Sequence, residues 1–100
     1  MSEAQRGKVY DRSGTIAVGG TAQDAVGVNE ARKWLFVQNP ADAAEVLYVN
    51  IGADASTAGK VSIELAAGGS LSLEGTFCPV DRVSVTAATL GHAFICKEGK

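Results

Sequence analysis

Apolar and polar side chains alternate at every second position through much of the second half of the chain. Val61, Ile63 and Leu65 alternate with Ser62, Glu64 and Ala66, Leu71 and Leu73 with Ser70, Ser72 and Glu74, and Val83 and Val85 with Arg82, Ser84 and Thr86. A period of two is the mark of a β-strand with one dry and one wet face. Extended along the chain, the pattern predicts eight strands, near Thr15–Val18, Ala25–Val28, Arg32–Gln38, Glu45–Ile51, Lys60–Ala66, Ser70–Glu74, Arg82–Ala87 and His92–Lys97. Gly, Asn, Asp and Ser clusters separate them at short, regular spacing, as in an antiparallel sandwich or barrel. Helical periodicity is absent; the best candidate, Ala41–Val46, follows Pro40 too closely to exceed a turn or two.

Two segments break the alternation. Trp34-Leu35-Phe36-Val37 and Val46-Leu47-Tyr48-Val49 are apolar on both faces. Such strands lie centrally with both sides covered, one by the core and the other by a loop or a second subunit. Paired residues share a face, which constrains the turns. A four-residue loop at Ala88–Gly91 would pair Val85 with Phe94 and Val83 with Cys96, placing Cys96 in the core, with Gly91 supplying a positive φ. At Ala66–Ser70 a two-residue Gly-Gly turn would set Leu65 against Ser72. Either that loop has an odd number of residues, favouring a three-residue loop with a glycine bulge, or the two strands lie in different sheets.

Residues 1 to about 13 carry Glu3, Arg6, Lys8, Asp11 and Arg12 without periodicity and read as an N-terminal arm, with the β-domain over 14–100. Extended, thirteen residues reach about 40 Å, enough to cross onto a neighbouring subunit. A frayed terminus is the alternative reading.

Composition narrows the function. One hundred residues make a single domain, 46% hydrophobic and 20% charged, which is globular. The net charge of −2 gives no electrostatic reason to expect a nucleic-acid partner. No secretory leader is visible, and the longest apolar run, Trp34–Val37, is far too short to cross a bilayer. Cys78 and Cys96 form no C-x-x-C pair, so two free packed thiols in a reducing cytosol are expected, with a disulfide between them as the alternative.

Catalytic and metal chemistry find little support. His92, the single histidine, would sit at a strand start beside a turn and needs partners to bind a metal. No nucleophile occupies a G-x-S-x-G context, and Cys78, before Pro79, has no neighbour that would activate it. Gly19-Gly20 and Gly68-Gly69 lack phosphate-loop spacing and read as turns. Asp42, Glu45 and Asp54 fall near one loop region without a calcium-loop pattern and read as solvated. No enzyme activity, cofactor or metal is therefore expected. Trp34, Phe36 and Tyr48 form an aromatic set on two neighbouring strands, fit for a core, a subunit interface or a ligand platform.

The run Arg32-Lys33-Trp34-Leu35-Phe36-Val37-Gln38-Asn39-Pro40, followed by Val46-Leu47-Tyr48-Val49-Asn50-Ile51-Gly52, then Leu65–Ser70 and the final Ala93–Gly99 segment, resembles small virion proteins of tailed bacteriophages. The resemblance implies a jelly-roll-like β-sandwich that decorates or cements the head, or sits in the tail, and brings no catalytic residues. The expected partner is the major capsid protein or another virion protein, with self-association as a dimer or trimer, no membrane, and assembly into virions in the bacterial cytoplasm. Candidate assembly contacts are Arg6, Lys8, Tyr10 and Arg12 of the arm and Trp34, Phe36 and Tyr48. The alternative is a tail-associated module binding a host receptor or carbohydrate.

Overall fold

A computed structural model describes residues 7–100 and is all-β, with no helix among them. Nine strands run in chain order: β1 Val9–Asp11, β2 Gly14–Thr15, β3 Gln23–Val26, β4 Trp34–Gln38, β5 Leu47–Ile51, β6 Ile63–Leu65, β7 Ser70–Glu74, β8 Val83–Thr86 and β9 Ala93–Gly99. They form two antiparallel sheets. The first has the order β1-β9-β4-β7, with β2 also on β9, and the second has the order β3-β8-β5-β6. β4 and β5, the strands that are apolar on both faces, are each flanked on both sides, as their composition requires.

Alternation decides which side chains enter the core. Leu35 and Val37 of β4 align with Leu73 and Leu71 of β7, and Val37 also aligns with Cys96 of β9. From the second sheet come Val26, Leu47, Val49, Leu65, Val83 and Val85. These residues, with Ile16, Ala87 and Phe94, make one hydrophobic cluster between the two sheets, a sandwich-like arrangement. Leu35, Val37, Leu47, Val49, Val83 and Val85 are wholly excluded from solvent. Each such burial stabilises the fold by roughly 1.5–3 kcal/mol relative to exposure.

The connections depart from the sequence expectation. β5 and β6 are the one consecutive pair bonded to each other among the described residues. The loop at Ala88–Gly91 does not close a hairpin: it carries the chain from β8 in the second sheet to β9 in the first, and Val85 and Val83 pair with Val49 and Ile51 instead. The four apolar residues share a core because they face it from opposite sheets. Gly91 does adopt a positive φ, of 82°. The Ala66–Ser70 junction also crosses between sheets, so the different-sheets alternative holds and the favoured glycine-bulge hairpin does not form. Gly68, at φ 79°, turns the chain there.

Residues 9–15, mostly assigned to an arm, form an edge of the first sheet. β1 pairs with Lys97–Gly99 and β2 with Ala93 and Phe94 in one continuous register. Between them the Ser13 hydroxyl accepts from the Cys96 amide at 3.0 Å, replacing a missing ladder bond. Beyond β1, Lys8 and Lys100 exchange both backbone hydrogen bonds, at 2.9 and 3.0 Å. Arg6 lies outside the described residues. Of the strand expected at Thr15–Val18 only Thr15 is strand, as part of β2; the remaining strands match expectation in kind but differ at their ends: β9 extends to Gly99, and β6 shortens to three residues.

Candidate interaction surfaces

The sheets are joined by polar clusters at the two ends of β4. At its start, Glu98 points inward from β9, continuing the face of Phe94 and Cys96, and is 1% exposed. Its Oε1 accepts from Arg32 Nε at 2.9 Å and from Asn29 Nδ2 at 3.0 Å, and its Oε2 accepts from Arg12 Nε at 3.0 Å. Arg32 is fully buried, and its other nitrogens donate to the carbonyls of Pro79, Asp81 and Gly27 at 2.8–2.9 Å. One guanidinium thus fixes β9, the end of β3 and the β7–β8 connection together. Burial pushes the Glu98 carboxyl up, but the hydrogen bonds from Asn29, Arg32 and Arg12 outweigh it and hold the group below the usual carboxylate range.

Arg12 and Tyr10 belong to the same edge. Alternation turns Lys8, Tyr10 and Arg12 to the face of their partners Lys100, Glu98 and Cys96. The Tyr10 ring has the Arg12 guanidinium 5.4 Å and the Lys100 ammonium 5.1 Å from its centroid. Beside this group opens a cleft of about 430 Å³, bounded by Ala25–Asn29 on one side and by Arg12, Glu98 and Lys100 on the other.

At the far end of β4, Asn39 is completely buried. Its amide donates to the carbonyls of Glu45 and Leu65, each at 2.9 Å, so its Oδ1 accepts from His92 Nε2, at 2.8 Å. His92 Nδ1 stands 3.5 Å from Glu45 Oε2. Glu45 also accepts from the amide and hydroxyl of Thr89 at 2.9 and 3.0 Å, tying down the Ala88–Gly91 crossing. The histidine is a structural clamp, with a side chain 7% exposed.

The outer faces of the two sheets differ. On the second, Ser84 and Thr86 are completely buried although they point away from the core. Loops of the same chain roof them: the Ala55 amide donates to Ser84 Oγ at 2.9 Å, and Thr86 Oγ1 donates to the Thr21 carbonyl at 3.1 Å. Arg82 clasps this roof, reaching Asp24 and Asp54, each at 2.9 Å. On the first sheet, Trp34 and Phe36 are half-buried and stacked, with centroids 6.0 Å apart and planes at 19°. Ser72 and Lys97 flank Phe36 across the strands, and the Trp34 indole donates to Ser72 Oγ at 3.3 Å.

The three expected aromatics are therefore not one set. β4 and β5 lie in different sheets, so Tyr48, half-buried between Glu64 and Thr86, faces the opposite side of the molecule from Trp34 and Phe36. Asp42, Glu45 and Asp54 do not gather: Glu45 serves the His92 end and Asp54 serves Arg82. Both cysteines are free. Burial, reinforced by the Glu98 charge, pushes the Cys96 thiol up to about 11; burial also raises Cys78, against the charge of Arg32. Sequence reasoning missed Glu98 and Arg32 as a buried pair. The signal was the alternation Phe94, Cys96, Glu98, which carries a carboxylate onto the inner face.

No protein-family model, curated protein or solved structure matches the chain. Function is therefore read from the chemistry of these surfaces.

Proposed function

We propose that the chain is a structural assembly subunit, a decoration or cement protein of a tailed-phage head. It docks on the major capsid protein through the outer face of its first sheet and acts without catalysis. In this reading the two sheets form a jelly-roll-like sandwich, and copies associate as a dimer or trimer. The observation that carries the proposal is the Trp34–Phe36 stack, half-exposed on a central strand while the opposite outer face is roofed by the chain's own loops. Large aromatics beside polar groups such as Ser72 and Lys97 are the typical anchors of protein interfaces. The same stack also suits a sugar ring, which supports the receptor-binding alternative.

The test is retention on purified virions. The protein should sediment with the particles in a fixed copy number, and the Trp34→Ala/Phe36→Ala variant should lose retention while keeping its circular-dichroism spectrum. Absence of the chain from purified particles overturns the proposal. Retention reversed by a soluble sugar favours the receptor-binding module instead.

A further inference from the structure

We propose that the cleft beside the β3 edge binds an extended acidic segment of a protein partner, laid along β3 with a carboxylate held by Arg12 and Lys100. For the kind of partner, a protein, this rests on the assembly reading. It uses a different surface.

One wall of the cleft is an edge strand and the loop after it; the other is Arg12, between β1 and β2, with Glu98 of β9 and Lys100 just past it. β3 is an outer strand of the second sheet and β1 an outer strand of the first, and the cleft runs between Ala25–Asn29 and the Arg12–Glu98–Lys100 group. An edge strand offers main-chain groups to an added strand, and a pocket beside it selects the added side chains. The cleft, about 430 Å³, opens to solvent along its length and presents more polar than apolar surface. Val28, 66% exposed at the rim, provides an apolar contact for a neighbouring side chain of the segment.

The charge of the cleft selects an acidic occupant. Glu98, the one acidic residue in its lining, is already saturated by Asn29, Arg32 and Arg12. Arg12 spends only Nε on that bond; its two terminal nitrogens make no hydrogen bond to a described residue. The Lys100 ammonium pairs with no carboxylate among the described residues and rests over Tyr10. Lys8 lies alongside Lys100. In a chain of net charge −2 this corner is locally cationic, with donors that no described residue engages and that suit a carboxylate.

The test is fluorescence anisotropy on the isolated protein with a labelled, end-blocked Val-Glu-Val-Glu-Val peptide and its Val-Lys-Val-Lys-Val counterpart. The glutamate peptide should bind and the lysine peptide should not. Lys100→Gln should weaken binding several-fold and Arg12→Gln about tenfold, with added salt acting in the same direction. Lys100→Gln removes no side-chain hydrogen bond or ion pair among the described residues, only the contact of its ammonium with the Tyr10 ring, and keeps the test valid if Arg12→Gln folds poorly. No binding, equal binding of both peptides, or unchanged affinity in Lys100→Gln overturns the proposal. Displacement by an equal concentration of free succinate also overturns it, by showing a simple anion site. The assay uses no particle, so its failure leaves the outer-face proposal to the virion test.

Discussion

Arg32 and Glu98 form a 2.9 Å ion pair with both side chains at most 2% exposed, although 66 residues separate them in the chain. Breaking a buried pair from one side strands the other charge, at a cost of about 3–5 kcal/mol. Arg32→Met should therefore lower the urea-unfolding free energy by about that amount. Glu98→Gln, which keeps an acceptor and leaves a guanidinium still bonded to three carbonyls, should cost less. Equal losses in the two variants would show that the carboxylate charge, and not the guanidinium's web of carbonyls, governs this corner.

Acid should loosen the same pair. Glu98 is held below its ordinary value in the fold, so its stabilising contribution is complete above the unfolded carboxylate value, about 4.3, and declines as pH falls through the lower folded value. Urea midpoints measured from pH 7 down to pH 2 should drop through that acid window in the native chain. The drop should be shallower in Glu98→Gln. Parallel acid limbs would assign the loss to other carboxylates.

How far each cluster was legible in the sequence follows from what alternation records. It reports the face of a residue and is silent on which strand lies beside it. Alternation puts Val83, Val85, Phe94 and Cys96 in the core but pairs them wrongly, because strands in opposite sheets send side chains to the same interior. For the same reason alternation cannot tell that Trp34 and Tyr48, expected on neighbouring strands, lie in different sheets. The Lys8–Arg12 stretch looked like an arm because its inward face covers a polar cluster and so carries no apolar stripe. Glu98 next to Lys97 and Gly99 resembles a solvated terminus, and its partners lie 66, 69 and 86 residues away.

Asn39 should be intolerant of change. Asn39→Ala removes both donors from the Glu45 and Leu65 carbonyls and the acceptor from His92, at about 1–3 kcal/mol for each buried group left unpaired. Asn39→Asp should be at least as damaging, since it turns a carboxylate oxygen toward two carbonyls. Thermal unfolding of both variants gives the comparison, and a variant as stable as the native chain would mean that water replaces the lost bonds.

The two thiols should react at different rates. Cys96 is completely buried and raised to about 11, whereas Cys78 is half-buried. With iodoacetamide at pH 8, mass spectrometry should show slow modification of Cys78 and modification of Cys96 only after unfolding in urea. Simultaneous labelling of both in the native protein would place the opening of β9 among the chain's frequent motions.

β9 is the last strand in the chain, yet it lies between β4 and the β1–β2 edge. During synthesis the first sheet has no middle until that segment has left the ribosome. Leu35 and Val37 must wait for Phe94 and Cys96 to close their side of the core, while the second sheet already has all its strands. The first sheet is therefore completed by one late insertion, of a strand that pairs with the earliest described strands on one side and with β4 on the other.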